Sequence, residues 1–199
     1  MHLILIMAFS VFLTEGDFVI YVFLADGFEE VEALAPVDFL RRAGINTITV
    51  GVTGDVVRGA HNIEVRADAS LNEVLLSDEL DGIVLPGGMP GAENLDNCAK
   101  VQQAIDYCAQ QDKIISAICA APFILGKKGL LKGKRATCFP GFEEFLEGAT
   151  VTGEGVVRDG KIITAKGAGV AWEFGAEIAA LIVGEEKSKA ILGAIQWKK

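Results

Sequence analysis

Residues 113–125, KIISAICAAPFIL, constrain the fold more than any other stretch, because the backbone has to change conformation within a few residues. Ile114, Ile115, Ala117 and Ile118 make the short apolar run of a strand covered on both faces, the pattern of a parallel sheet. Residues 120–125 suit a helix instead, and Pro122 is tolerated only in a first turn, so a helix must begin close to Cys119. A thiol at that corner meets unpaired N–H groups and the positive end of a helix dipole, both of which favour thiolate. The competing reading is a small buried core cysteine, and this stretch alone leaves the two open.

The other apolar runs extend the pattern. Residues 18–24 (FVIYVFL) read as a first parallel strand, broken by Asp26-Gly27. Residues 29–43 read as a helix, with acids in the first turn, Arg41 and Arg42 in the last, and Gly44 as its stop. A second strand follows at 45–52. Gly54, Gly59 and Asn62 then make 53–70 a turn-rich excursion outside the core, with a β-like piece at 62–65. Residues 82–85 form a third core strand that stops at the run PGGMPG, and 99–111 form a helix. After Gly129 come short β-like segments at 135–138, 149–151, 155–157 and 162–164, with a hairpin turn at Asp159-Gly160. Helices at 171–183 and 185–195 close the chain. Alternating strands and helices predict a doubly wound α/β sandwich, a mostly parallel sheet with helices on both faces. Sites in such folds form beyond the carboxyl ends of the strands, which puts residues 25–29, 86–91 and Cys119 on one rim.

Composition narrows the function classes. The 199 residues are economically read as one domain at 18–199 after an apolar extension at 1–17. A net charge of −9, with no basic cluster larger than pairs such as Lys127-Lys128 or Lys198-Lys199, argues against a nucleic-acid or anionic-membrane partner. Four cysteines without a C-x-x-C pair and only two histidines suggest neither zinc site nor disulfide scaffold. No metal or cofactor is expected, and a reducing cytoplasm fits. Residues 3–13 resemble the apolar part of a signal peptide, but no Lys or Arg precedes them and no small-residue cleavage site follows. The extension is read as packing onto the domain or a partner subunit, with an upstream start-codon artefact as the alternative.

Two further features fall on the predicted rim. On a helix, Glu32 stacks with Ala35, Pro36 and Phe39, so its column is otherwise apolar and its carboxyl should titrate high. Near Cys119 it could hydrogen-bond the thiolate while protonated and exchange protons with a substrate; the alternative is a first-turn acid on the helix dipole. Gly87-Gly88 after a buried strand can turn backbone N–H groups outward as an oxyanion hole, completed by the N–H of Ala120. An ordinary loop glycine pair is the other explanation.

The segments DGFEEVE at 26–32, PVDFLRRAGI at 36–45, ADASL at 67–71, LPGG at 85–88, AICAAP at 117–122 and GAG at 167–169 together resemble the ThiJ/PfpI superfamily. More closely they resemble the branch of the parkinsonism-associated protein deglycase and its bacterial relatives. The resemblance implies a flavodoxin-like sandwich, a homodimer, Cys119 as an oxidation-sensitive nucleophile, Glu32 as its protonated partner, and the Gly88 and Ala120 amides as an anion site.

The chain also departs from related patterns. Where some relatives place a histidine near the cysteine, this chain has Phe139 before Pro140, and where the protease-like branch has histidine after the nucleophile it has Ala120. No histidine follows His61, which disfavours peptidase and amidotransferase chemistry. His61 is either an accessory group reaching the site across a subunit interface or a surface turn residue beside Asn62. Cys138 is expected to be a packing residue. The function expected is a cofactor-free, cysteine-dependent enzyme acting on small reactive dicarbonyls such as methylglyoxal, of glutathione-independent glyoxalase or deglycase type. The alternative is an oxidative-stress sensor or chaperone-like protein in which Cys119 is oxidised without turnover.

Overall fold

The computed structural model describes residues 18–198; the extension at 1–17 lies outside the described residues, and with it the reading of its role. The chain runs through β1 (Val19–Leu24), α1 (Glu30–Arg42), β2 (Asn46–Gly51), β3 (Val56–Arg58), β4 (Glu64–Arg66), β5 (Ala69–Ser70) and β6 (Leu80–Leu85). It continues through α2 (Gly91–Asp96), α3 (Ala99–Gln110), β7 (Ile114–Ile118), α4 (Pro122–Lys127), β8 (Arg135–Ala136) and β9 (Thr150–Val151). Last come β10 (Val156–Asp159), β11 (Ile162–Ala165), α5 (Ala171–Val183) and α6 (Glu185–Ala194).

Seven strands form one sheet in the order β10-β11-β7-β6-β1-β2-β5, parallel throughout except for the β10–β11 hairpin. β1 explains why the sheet is covered on both sides: its six residues are all buried, Val19, Tyr21 and Phe23 entering one core and Ile20, Val22 and Leu24 the other. The first core is roofed by α2, α3 and α4, the second by α1 and α5. This is the doubly wound, flavodoxin-like sandwich expected, and the adjacent strands β7, β6 and β1 bring their carboxyl ends side by side.

Three local features differ from the sequence reading. The residues at 53–70 are not outside the core: Val57 is fully buried and β5 adds an edge strand beside β2. The β3–β4 hairpin clamps the loop after β1, because Gly27 N donates to Arg58 O at 2.8 Å and Ala60 N to Phe28 O at 2.8 Å. Helix α2 carried no periodic signal, since it has six residues and begins between Pro90 and Gly91; docking of Ala92 and Leu95 into the first core overrides weak propensity. The closing hairpin pairs Asp159 with Ile162, so its turn is Gly160-Lys161, one residue later than expected.

Helix α1, which carries Glu32, is fixed by its fit to α5. Gly175 lets the helices touch: a β-carbon there would lie 3.0 Å from Pro36 Cα and 3.1 Å from Phe39 Cβ. Gly175→Val should therefore lower unfolding stability by about 1–3 kcal/mol through overpacking, measured by urea denaturation; an unchanged midpoint would mean that α1 is not held by this contact.

Candidate active site

Cys119 is the residue that turns the chain from β7 toward α4, and it does so with φ +64°. A side-chain-bearing residue in the left-handed region costs of order 1–3 kcal/mol, so the surroundings must impose it. They do so from both sides of the peptide. Cys119 N donates to Ala165 O at the end of β11, and Phe139 N donates to Cys119 O, each at 2.8 Å. Pro122 opens α4 at its first position, as the sequence requires. The result is a sharp strand-to-helix elbow with the thiol at its tip.

Glu32 is brought to the same point from α1. Its helix starts where Glu29 caps it, the Glu29 side chain accepting from Glu32 N at 2.8 Å, while Glu29 N donates to Gly87 O at 3.0 Å. The column Ala35, Pro36 and Phe39 is buried, and Glu32 is 1% exposed. Its carboxyl hydrogen-bonds Cys119 and accepts from the amides of Gly87, at 3.1 Å to Oε2, and of Ala168. No role was expected for Ala168; the GAG segment at 167–169 is the signal from which this contact could have been sought.

The glycine pair divides its work. A β-carbon on Gly87 would lie 2.5 Å from both Cys119 Cβ and Glu32 Oε2, so only glycine permits the close approach of acid and cysteine. Gly88, at φ +82°, turns its amide toward the sulfur, which it hydrogen-bonds together with the amide of Ala120.

The electrostatics correct one expectation. The N–H groups and helix dipole at the elbow were expected to favour thiolate, yet burial pushes the Cys119 thiol up to about 12, with the charge and hydrogen bond of Glu32 adding and the Gly88 and Ala120 amides pulling down. The adjoining helix is short, and desolvation outweighs it. Burial also raises Glu32 to about 7, against hydrogen bonds from Cys119, Gly87 and Ala168 and with repulsion from Glu29. Because the two groups share a hydrogen bond, the pair holds a single proton between these values. It exists either as thiol with carboxylate or as thiolate with carboxylic acid, with two amides supporting the charge on each group, Gly88 and Ala120 at the sulfur and Gly87 and Ala168 at the carboxyl.

His61 is held elsewhere. It is a turn residue, 69% exposed, whose Nδ1 lies 2.8 Å from Glu30 Oε2 and whose backbone N donates to Glu30 Oε1 at 2.7 Å. Glu30, one of the acids in the first turn of α1, is 4% exposed. Its hydrogen bonds with His61 hold it below the ordinary carboxylate range against the opposing effect of burial, and the same contact raises His61. Glu29, Glu30 and His61 offer metal-ligating atoms within 4.8 Å of one another, already joined by the His61–Glu30 hydrogen bond. Cys138 is buried in the opposite core, and all four cysteines are free.

A strained cysteine at the carboxyl edge of a parallel sheet, sharing one proton with a buried glutamic acid, defines an α/β protein of the cysteine-elbow class. Comparison with known proteins sharpens this: the chain belongs to the DJ-1/PfpI family, which it matches over residues 19–181. It is 36% identical over 173 residues to protein dj-1beta of Drosophila melanogaster, covering 85% of this chain and 92% of that protein. It is 37% identical over 175 residues to protein DJ-1 homolog B of Arabidopsis thaliana, covering 86% of this chain and only 40% of the longer plant protein. Among solved structures, oxidised DJ-1 of Toxoplasma gondii superposes with a TM-score of 0.86 at 31% identity, covering 91% of this chain and 99% of that one. Among the described residues no helix is long and apolar enough to cross a membrane.

The raised Glu32 value has a consequence for stability. In the unfolded chain this carboxyl ionises near 4.5, whereas in the folded protein it keeps its proton until about 7. Stability supplied by the neutral form is fully present below 4.5 and is lost as pH rises through 7. The unfolding free energy of Glu32→Gln minus that of the native chain should become more positive from pH 5 to pH 8, by roughly 2 kcal/mol. A difference independent of pH would show that Glu32 titrates normally in the folded state.

Proposed function

We propose that this protein is a cysteine-dependent enzyme that converts α-oxoaldehydes such as methylglyoxal into 2-hydroxy acids, with water as the only co-substrate. The observation that carries this reading is the hydrogen bond between Cys119 and a Glu32 carboxyl held protonated up to about 7. The thiolate adds to the aldehyde carbon, forming a C–S bond while the carbonyl oxygen is held by the Gly88 and Ala120 amides and takes the Glu32 proton. Glu32, now a carboxylate, removes the hydrogen of that carbon as a proton and delivers it to the ketone oxygen, giving the enediol; the proton on the first oxygen then passes through Glu32 to the neighbouring carbon as the thioester carbonyl forms. The product is a thioester, redox-neutral relative to the starting hemithioacetal. Water hydrolyses it to the 2-hydroxy acid and returns the Cys119 thiol. The same addition to early adducts of dicarbonyls with amines would be the deglycase form of the reaction.

A second reading is favoured by the two amides at the sulfur, which suit the oxygens of a sulfinate as well as an oxyanion, and by the oxidised state named for the Toxoplasma relative. In that reading Cys119 records oxidants.

One experiment separates them. Purified protein should form lactate from methylglyoxal, with Cys119→Ala lowering kcat by more than about 10³-fold and Glu32→Gln by at least about 10²-fold. Native turnover no greater than that of Cys119→Ala would contradict the enzymatic reading. If, in that case, graded peroxide converted Cys119 selectively to sulfinate, the sensor would take its place.

A further inference from the structure

The loop after β8 and the segment after β11 leave an open groove of about 450 Å³ beside Glu32, walled by Phe139, Pro140, Lys166, Gly167, Ala168 and Val170. Apart from Lys166 these side chains are apolar or absent, and Phe139 is 47% exposed although it is a large aromatic. The walls of the groove adjoin the reacting groups. Phe139 N is bonded to Cys119 O, Ala168 N to the Glu32 carboxyl, and a β-carbon on Gly167 would sit 3.7 Å from Glu32 Oε1 and 3.5 Å from the Phe139 ring. Thus Oε2 of Glu32 faces the Gly87 amide, whereas Oε1 borders the groove.

Resting on the α-oxoaldehyde reading above, we propose that the groove receives the substituent on the ketone carbon, and that the preferred substrates are α-oxoaldehydes bearing an aromatic-sized apolar group with an anionic far end. Cys119 takes the aldehyde carbon, and Glu32, having removed that carbon's proton, protonates the adjacent carbon from the groove side. That carbon therefore lies at the groove mouth, and whatever it carries continues between Phe139 and Val170. A methyl group leaves the space empty and the Phe139 ring in water, while an aryl group fills it and stacks on the ring. Lys166 sets the far end: it makes no ion pair among the described residues, so the one charge on an otherwise apolar wall is complementary to a substrate anion. With an aryl group the overall change adds one water to the oxoaldehyde and yields a mandelic acid, with no external oxidant or reductant.

The test compares kcat/KM for methylglyoxal, phenylglyoxal and 4-carboxyphenylglyoxal, each divided by its rate with a free thiol to remove differences in intrinsic reactivity. The native protein should prefer phenylglyoxal to methylglyoxal by about 10-fold or more, and the carboxylated compound to phenylglyoxal by about 2–5-fold. Phe139→Ala should reduce the first ratio at least about 5-fold, and Lys166→Gln should abolish the second; both side chains are exposed, so neither change threatens folding. Methylglyoxal turned over as well as or better than phenylglyoxal, or ratios that the variants leave unmoved, would overturn the groove assignment alone. Turnover of none of the three would overturn it together with the enzymatic reading on which it rests.

Discussion

The structure around Cys119 depends on one shared proton. A thiol and a carboxyl removed from water each lose the hydration that would support their charge, and placing them in contact prevents both from ionising at neutral pH. One negative charge therefore sits on the pair, and the Gly88 and Ala120 amides offer it two donors at sulfur, while Gly87 and Ala168 offer two at the carboxyl. Donors on each side keep the two arrangements of the proton close enough in energy for the acid to pass it to a substrate and take it back. A histidine partner would arrive charged or neutral according to pH; a buried carboxylic acid is instead kept neutral by its surroundings.

Holding that pair together explains features of the fold that stability alone would not. The left-handed Cys119, the absent side chain at Gly87 and the buried acid each oppose stability locally. They are borne by the β7-β6-β1 centre of the sheet, whose strands are buried on both faces, and by the tight contact of α1 with α5. The β3–β4 hairpin adds a clamp from outside, pinning the loop after β1 while Glu30 and His61 tie the hairpin to the start of α1.

Much of this was legible in the chain. Apolar runs of strand length gave the parallel sheet, the position of Pro122 gave the elbow, and the apolar column around Glu32 marked its carboxyl as buried. What escaped depends on contacts between distant segments. The net effect on the Cys119 thiol could not be read from a helix start, because burial and Glu32 come from elsewhere in the fold. The burial of Glu30 depends on a hairpin thirty-one residues away in sequence, and α2 forms only because the core receives Ala92 and Leu95. The groove at Phe139 likewise joins residues on two separate loops that no spacing relates.

The shared proton is tested most directly by the rate at which iodoacetamide alkylates Cys119, followed by mass spectrometry of its peptide across pH 5 to 10. Thiolate is the reacting form, so a pair that loses its first proton near 7 predicts a rate that climbs through about pH 7 and then levels. In Glu32→Gln that step should disappear and the rise should move above the ordinary thiol value of about 8.5. A native profile centred near 8.5 and unaltered by Glu32→Gln would contradict the account.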